Sequence, residues 1–212
     1  MASLRSRQRR ALAAGGMVLG FGAVLVAASW TDNVLGFAQF QSGGRFGIQS
    51  SVDNGVTWTS NEVSGANNVL SFSPSVNAVV PGSVAYAPIR LRTDIGSPAA
   101  QIQLDGAQLS GDAALGGALV YRAVSLDPPT AACTSAAFAG TPAWVVGSTG
   151  PMPLTTGSVP NVFTLPAATP TSAGVATSVC FEISLPATNA VWTNAALQGK
   201  TSTPDWAFVG TS

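Results

Sequence analysis

In the stretch Val84–Thr93, Ala85, Ala87, Ile89 and Leu91 alternate with Tyr86, Arg90 and Arg92. Successive side chains of an extended chain leave on opposite faces, so this period makes a strand with an apolar face inward and its cations outward. A helix cannot use such a pattern, because its faces repeat every three or four residues. The same period returns in Gln101–Leu104 and in Ala118–Leu126, where Leu119, Tyr121 and Ala123 oppose Val120, Arg122 and Val124. It is cleanest in the last third of the chain, where Val179, Phe181, Ile183 and Leu185 oppose Cys180, Glu182 and Ser184.

Turn chemistry separates these runs. Asp53-Asn54-Gly55 lies between an alternating Phe46–Ser51 and Val56–Thr59; an Asn-Gly pair tolerates the positive φ of a tight turn, which predicts a hairpin. Pro81-Gly82, Asp105-Gly106 and Asp127-Pro128-Pro129 punctuate the remainder. Val69–Phe72, Trp144–Val146, Val162–Leu165 and Trp206–Val209 read as further short strands, the last with Pro204 at its start. Between Cys133 and Pro170 the chain is loop-rich, with one helical turn expected around Ser135–Phe138. Only 8% of residues are charged, against 23 Gly and 14 Pro, so strong helix formers are scarce and helix is expected to be minor. About eight or nine strands without long helical crossovers predict an all-β antiparallel sandwich. An immunoglobulin-like topology and a jelly roll both remain open at this point.

The first forty residues set where such a chain works. Arg5, Arg7, Arg9 and Arg10 precede an uncharged apolar run from Ala11 to Ser29, which has the outline of an export signal and implies a signal helix. The small residues Ala27, Ala28 and Ser29 place cleavage after Ser29, so that the mature chain begins at Trp30. The competing reading is a retained anchor, since the run approaches the length that spans roughly 30 Å of hydrocarbon. Its glycines (Gly15, Gly16, Gly20, Gly22) and the absence of a charge on the far side favour cleavage. The expected organisation is a signal over 1–29, a mature N-terminal segment over 30–41 and a sandwich over 42–212. Removing the signal leaves five cations against nine acids, a weakly acidic chain with no footprint for nucleic acid. In an exported chain the only two cysteines, Cys133 and Cys180, most simply form one disulfide. Closing a loop of about 48 residues is worth roughly 4 kcal/mol on the chain-entropy model.

Several motifs together carry a family likeness. They are the small-residue end of the apolar run followed by Trp30-Thr31-Asp32, Phe37 and Phe40 with Arg45-Phe46-Gly47-Ile48, Pro81–Pro88, Leu119–Arg122, Cys180-Phe181-Glu182 and Trp206-Ala207-Phe208. With these the chain resembles the SipW-dependent signal-peptide class, which holds the TasA/camelysin biofilm proteins and related actinobacterial surface proteins. The resemblance implies a jelly-roll sandwich and fibre formation, in which the mature N-terminal segment of one subunit completes the sheet of its neighbour. Here the donor is expected over Trp30–Gln41, with Leu35, Phe37 and Phe40 as apolar anchors. The setting it implies is the extracellular surface or matrix of a Gram-positive, actinobacterial cell.

Because camelysin has been described as a metalloprotease, the resemblance obliges a search for metal ligands. The sequence holds no histidine, which removes H-E-x-x-H and any Ser-His-Asp arrangement. Two cysteines are too few for a thiolate zinc site. Asp53, Asp105 and Asp112 sit beside Asn or Gly as turn formers, without the alternating acids of a calcium loop. Lys200 stands in a polar stretch as a solvated charge. The expectation is a secreted non-enzymatic structural protein with no cofactor and no catalytic or metal residues. Its expected partners are further copies or other matrix and surface proteins, with signal peptidase during export; membrane contact is through the uncleaved signal alone. No sorting motif or lipobox cysteine is present, so wall attachment is expected to be noncovalent. The alternative is a monomeric adhesin or carbohydrate-binding module, if Trp58, Trp144, Trp192 or Trp206 presents an indole for a sugar rather than filling the core.

Overall fold

The computed structural model describes residues 31–33, 46–60, 68–75, 79–160 and 162–212. The cleavage residues Ala27, Ser29 and Trp30, the signal helix and the anchors Leu35, Phe37 and Phe40 lie outside the described residues.

The fold is an all-β antiparallel sandwich. Its six-stranded sheet has the order β2 (Ile48–Ser51), β3 (Val84–Thr93), β10 (Thr177–Ser184), β6 (Val120–Leu126) and β7 (Ala143–Val146), with β8 (Met152–Pro153) also on β6. Facing it is a four-stranded sheet in the order β1 (Thr31–Asn33), β12 (Phe208–Thr211), β4 (Ala100–Leu104) and β9 (Phe163–Leu165). A two-stranded ribbon of β5 (Gln108–Gly111) and β11 (Ser202–Asp205) continues the β4–β12 pair past a bend. Helix among the described residues is limited to α1 (Ala113–Ala118), α2 (Asn189–Trp192) and two 3-10 turns, Ser135–Phe138 and Ala195–Leu197.

The alternation in the sequence explains the core. Ala85, Ala87, Ile89 and Leu91 of β3 are buried, and Tyr121, Ala123, Val179, Phe181 and Ile183 extend that layer. Ala100, Ile102, Leu104, Leu165 and Phe208 close on it from the smaller sheet. Phe181 meets Phe208 edge-on at 6.1 Å and Trp206 at 5.2 Å, joining the two layers through aromatic contacts. Burial raises the Tyr121 hydroxyl to about 12, and its proton goes to the Thr156 carbonyl. The buried Trp206 indole N–H faces that hydroxyl without a well-formed hydrogen bond.

Several local expectations change. Trp206–Val209 is not one strand: β12 starts at Phe208, Pro204 pairs with Leu109 inside β11, and Trp206-Ala207 form the bend between them. The bend exists because the loop after β8 crosses it. Leu154 O accepts from Ala107 N and Ser158 N donates to Leu104 O. Gly106 is required there, since a Cβ on it would lie 2.0 Å from the Thr155 carbonyl oxygen. Val69–Phe72 forms no strand; only Ser73 bridges to Tyr86. In the expected hairpin, Asn54 and Gly55 do take φ of 61° and 86°, yet the returning arm touches β2 only through the Ser50–Thr59 bridge. Asp53 supplies the rest of the closure, accepting from Val56 N and Thr57 N and from the Ser51 and Thr57 hydroxyls.

Candidate functional site

Three places on the sandwich combine features that packing alone leaves open. The first is the edge of the four-stranded sheet. β1 lies there against β12, pairing Thr31 with Thr211, Asp32 with Gly210 and Asn33 with Val209. An edge strand offers one row of backbone N–H and C=O groups to its neighbour and another to whatever approaches from outside. The residues so placed are the second to fourth of the expected mature chain. Thr31-Asp32-Asn33 does not alternate, and Asp32 and Asn33 disfavour strands, which is why periodicity does not find this strand.

The second place is the outer face of β10 and β6. There Cys133 is bonded to Cys180 across 47 residues of sequence, as the export context predicts. Cys180 is fully buried, and Ser178 and Glu182 on the same outward side of β10 are buried with it while Ser184 is half-buried, because the segment 127–142 folds over that face. Ser178 Oγ fixes the segment by donating to Pro129 O at 2.5 Å. Beneath it Arg122 donates from Nε to Glu182 Oε1 at 2.8 Å and from Nη2 to Oε2 at 2.7 Å. The Arg122 guanidinium lies 5.0 Å from the Phe138 ring centroid and 5.7 Å from that of Trp144. Tyr86, 6.0 Å from Phe138, completes the enclosure, and burial followed by the Glu182 charge raises its hydroxyl. A bidentate, aromatic-covered pair of this kind is satisfied within itself and functions as a clamp.

The third place is a groove of about 820 Å³ between the start of β3, the end of β10 and the segment carrying α2. Phe72, Val79, Leu119, Ile183, Leu185 and Leu197 are among the residues that line it. Trp192 stands at the groove with 59% of its surface exposed. Contributions from residues 72 to 204 converge there, so no local sequence signal marks it. Of the tryptophans, Trp206 is core, Trp58 and Trp144 are half-buried and Trp192 is presented to solvent.

The acidic residues have structural partners. Asp112 caps α1 by accepting from Leu115 N, which lowers its carboxyl, and Lys200 stands 3.7 Å away. Asp105 accepts from Gln103 Nε2 at the ribbon bend. Asp53 is held well below the usual carboxylate range, first by the Thr57 hydroxyl and then by the Thr57 backbone N–H. Among the described residues no three metal-binding side chains converge, and no helix is long and apolar enough to cross a membrane. No family model, no curated protein and no solved structure matches the chain.

Proposed function

We propose that the protein is a secreted, non-enzymatic structural component of a cell surface or extracellular matrix, and that it self-associates through its mature N-terminal segment. The observation that carries this reading is the position of β1. The residues that follow the expected cleavage point are held as a three-residue edge strand, joined to the sandwich by backbone pairing to β12. A strand attached so can pair with the same edge of another copy as readily as with its own, because main-chain hydrogen bonds do not depend on which chain supplies them. In trans, Leu35, Phe37 and Phe40 would add apolar anchorage beside the edge. The disulfide fits an oxidising compartment. The resemblance to the TasA/camelysin proteins adds the jelly-roll assignment and the fibre to the same proposal. Purification from culture supernatant, with N-terminal sequencing and negative-stain microscopy, tests it: the expected product begins at Trp30 and forms fibres. A product that keeps Met1–Ser29, or that shows isolated particles only, contradicts it.

A second reading, a monomeric adhesin or carbohydrate-binding module, is favoured by one observation, the exposed Trp192 indole at a groove that also carries Asn194, Gln198 and Lys200. A glycan array probed with the wild type and Trp192→Ala separates the two. Hits lost in the variant support the module, and an empty array removes it.

A further inference from the structure

From Thr31 to the C-terminus the sequence holds five cations: Arg45, Arg90, Arg92, Arg122 and Lys200. Arg122 is paired with Glu182 and Lys200 with Asp112. Among the described residues, the two cations that make no ion pair are Arg90 and Arg92, and they are two apart on the outer face of β3. In a chain with so few charges, placing both unpaired guanidiniums side by side is a concentration of positive potential that folding does not require.

Their hydrogen bonds show what is left over. Arg90 Nη1 donates to the Asn54 carbonyl at 2.6 Å, which leaves the side-on edge formed by Nε and Nη2. Arg92 Nε donates to Gln49 Oε1 at 2.8 Å, which leaves the end-on edge formed by Nη1 and Nη2. Both acceptors are neutral, so each residue keeps one complete two-donor edge of the kind that matches the two oxygens of a carboxylate. Arg92 Cζ lies 4.0 Å above the Trp58 ring, a cation–π contact that adds no hydrogen-bond acceptor to its donors. Asp94 acts on Arg92 only as a neighbouring charge, its Oδ1 being taken by Gln49 Nε2 and Ile95 N. The hairpin closed by Asp53 fixes the whole arrangement, because it carries both Asn54 and Trp58, whose own indole N–H is held by Gly55 O. Trp58 remains half-exposed beside the two free edges.

We propose that Arg90, Arg92 and Trp58 form a binding site for the carboxylates of an acidic polysaccharide, a polymer of uronic acid type. The guanidinium edges take the carboxylates of sugar residues, and the exposed part of the indole takes the apolar face of a ring. Two cations on an otherwise acidic chain suit a sparse, ring-spaced anion. A nucleic acid needs a broad basic surface, which the nine acids deny it. The site stands apart from the β1–β12 edge, so it does not depend on self-association.

The test is calorimetric titration of the full chain with polygalacturonate, with its fully methyl-esterified form and with inorganic polyphosphate. The expected result is binding to polygalacturonate that weakens with salt, and none to the ester. Arg90→Gln and Arg92→Gln should each weaken it by about tenfold or more, the scale of one lost charge-assisted pair. Arg92→Lys should weaken it also, since it keeps the charge and removes the fork. Absence of binding to polygalacturonate, equal binding of the ester, or tighter binding of polyphosphate overturns the assignment. Unchanged affinity in folded Arg90→Gln/Arg92→Gln protein, or in Arg92→Lys, overturns it equally.

Discussion

Arg122 and Glu182 show how far a single contact constrains this molecule. The Glu182 side chain is 8% exposed and that of Arg122 25%, so the pair is largely out of water and its worth depends on both members being present. Arg122→Ala would leave a buried carboxylate unpaired and should cost about 3 kcal/mol. The double replacement Arg122→Met/Glu182→Met should recover most of that, since apolar side chains of similar volume suit the Phe138–Trp144 cover. Urea denaturation of the three proteins checks both values; an equally destabilised double variant would show that the pair is more than a clamp. Asp53 makes a prediction in pH. Its folded carboxyl is depressed below the 3.8 of an unperturbed aspartate, so the closure it provides is complete above that value. The closure is then lost as pH falls through the depressed folded value. The hairpin should therefore be insensitive to pH from neutral to about 5 and loosen only in stronger acid. Trp58 fluorescence against pH reads this directly, and Asp53→Asn should show the loosened signal at every pH.

At the level of elements, the sandwich depends on the covering segment 127–142 and on the bend at Gly106. Reducing the Cys133–Cys180 bond, or replacing both cysteines by alanine, should cost roughly 4 kcal/mol from the lost cross-link. It should also expose the outer face of β10, visible as faster amide exchange at Ser178 and Cys180. Gly106→Ala should destabilise by at least 1–3 kcal/mol, because the atom in the way is a backbone carbonyl that cannot rotate aside. Thermal unfolding measures it, and an unaltered midpoint would mean that the loop gives way. The elements read from sequence are those whose alternation contrasts strongly. In β3 and β10 an apolar face meets polar or charged residues, and their inner faces are as periodicity predicts, as is that of β6, although Val120 and Val124 share its outer face with Arg122. The turn residues Asn54-Gly55 and the helical turn Ser135–Phe138 were equally legible, since both rest on local chemistry. β5 was not, because all four of its residues are exposed and no contrast exists to read. α1 was not, because Ala113–Ala118 is a run of Ala, Leu and Gly with no face, ordered by the Asp112 cap and by packing against the ribbon. Arg90 and Arg92 were visible as outward cations. That neither makes an ion pair depends on where the acids lie in space, which spacing does not disclose.

On the scale of the whole molecule, two facing antiparallel sheets are tied by one disulfide in a chain of which 8% is charged. Among the described residues β1 is an edge strand of the smaller sheet, and the proposed self-association uses that edge. The direct measurement is multi-angle light scattering over a concentration series, comparing protein that begins at Trp30 with protein that begins at residue 42. Self-association through the mature N-terminal segment predicts growing assemblies for the longer chain, and monomers for the shorter one at every concentration. Monomers for both, or equal assembly by both, would contradict it.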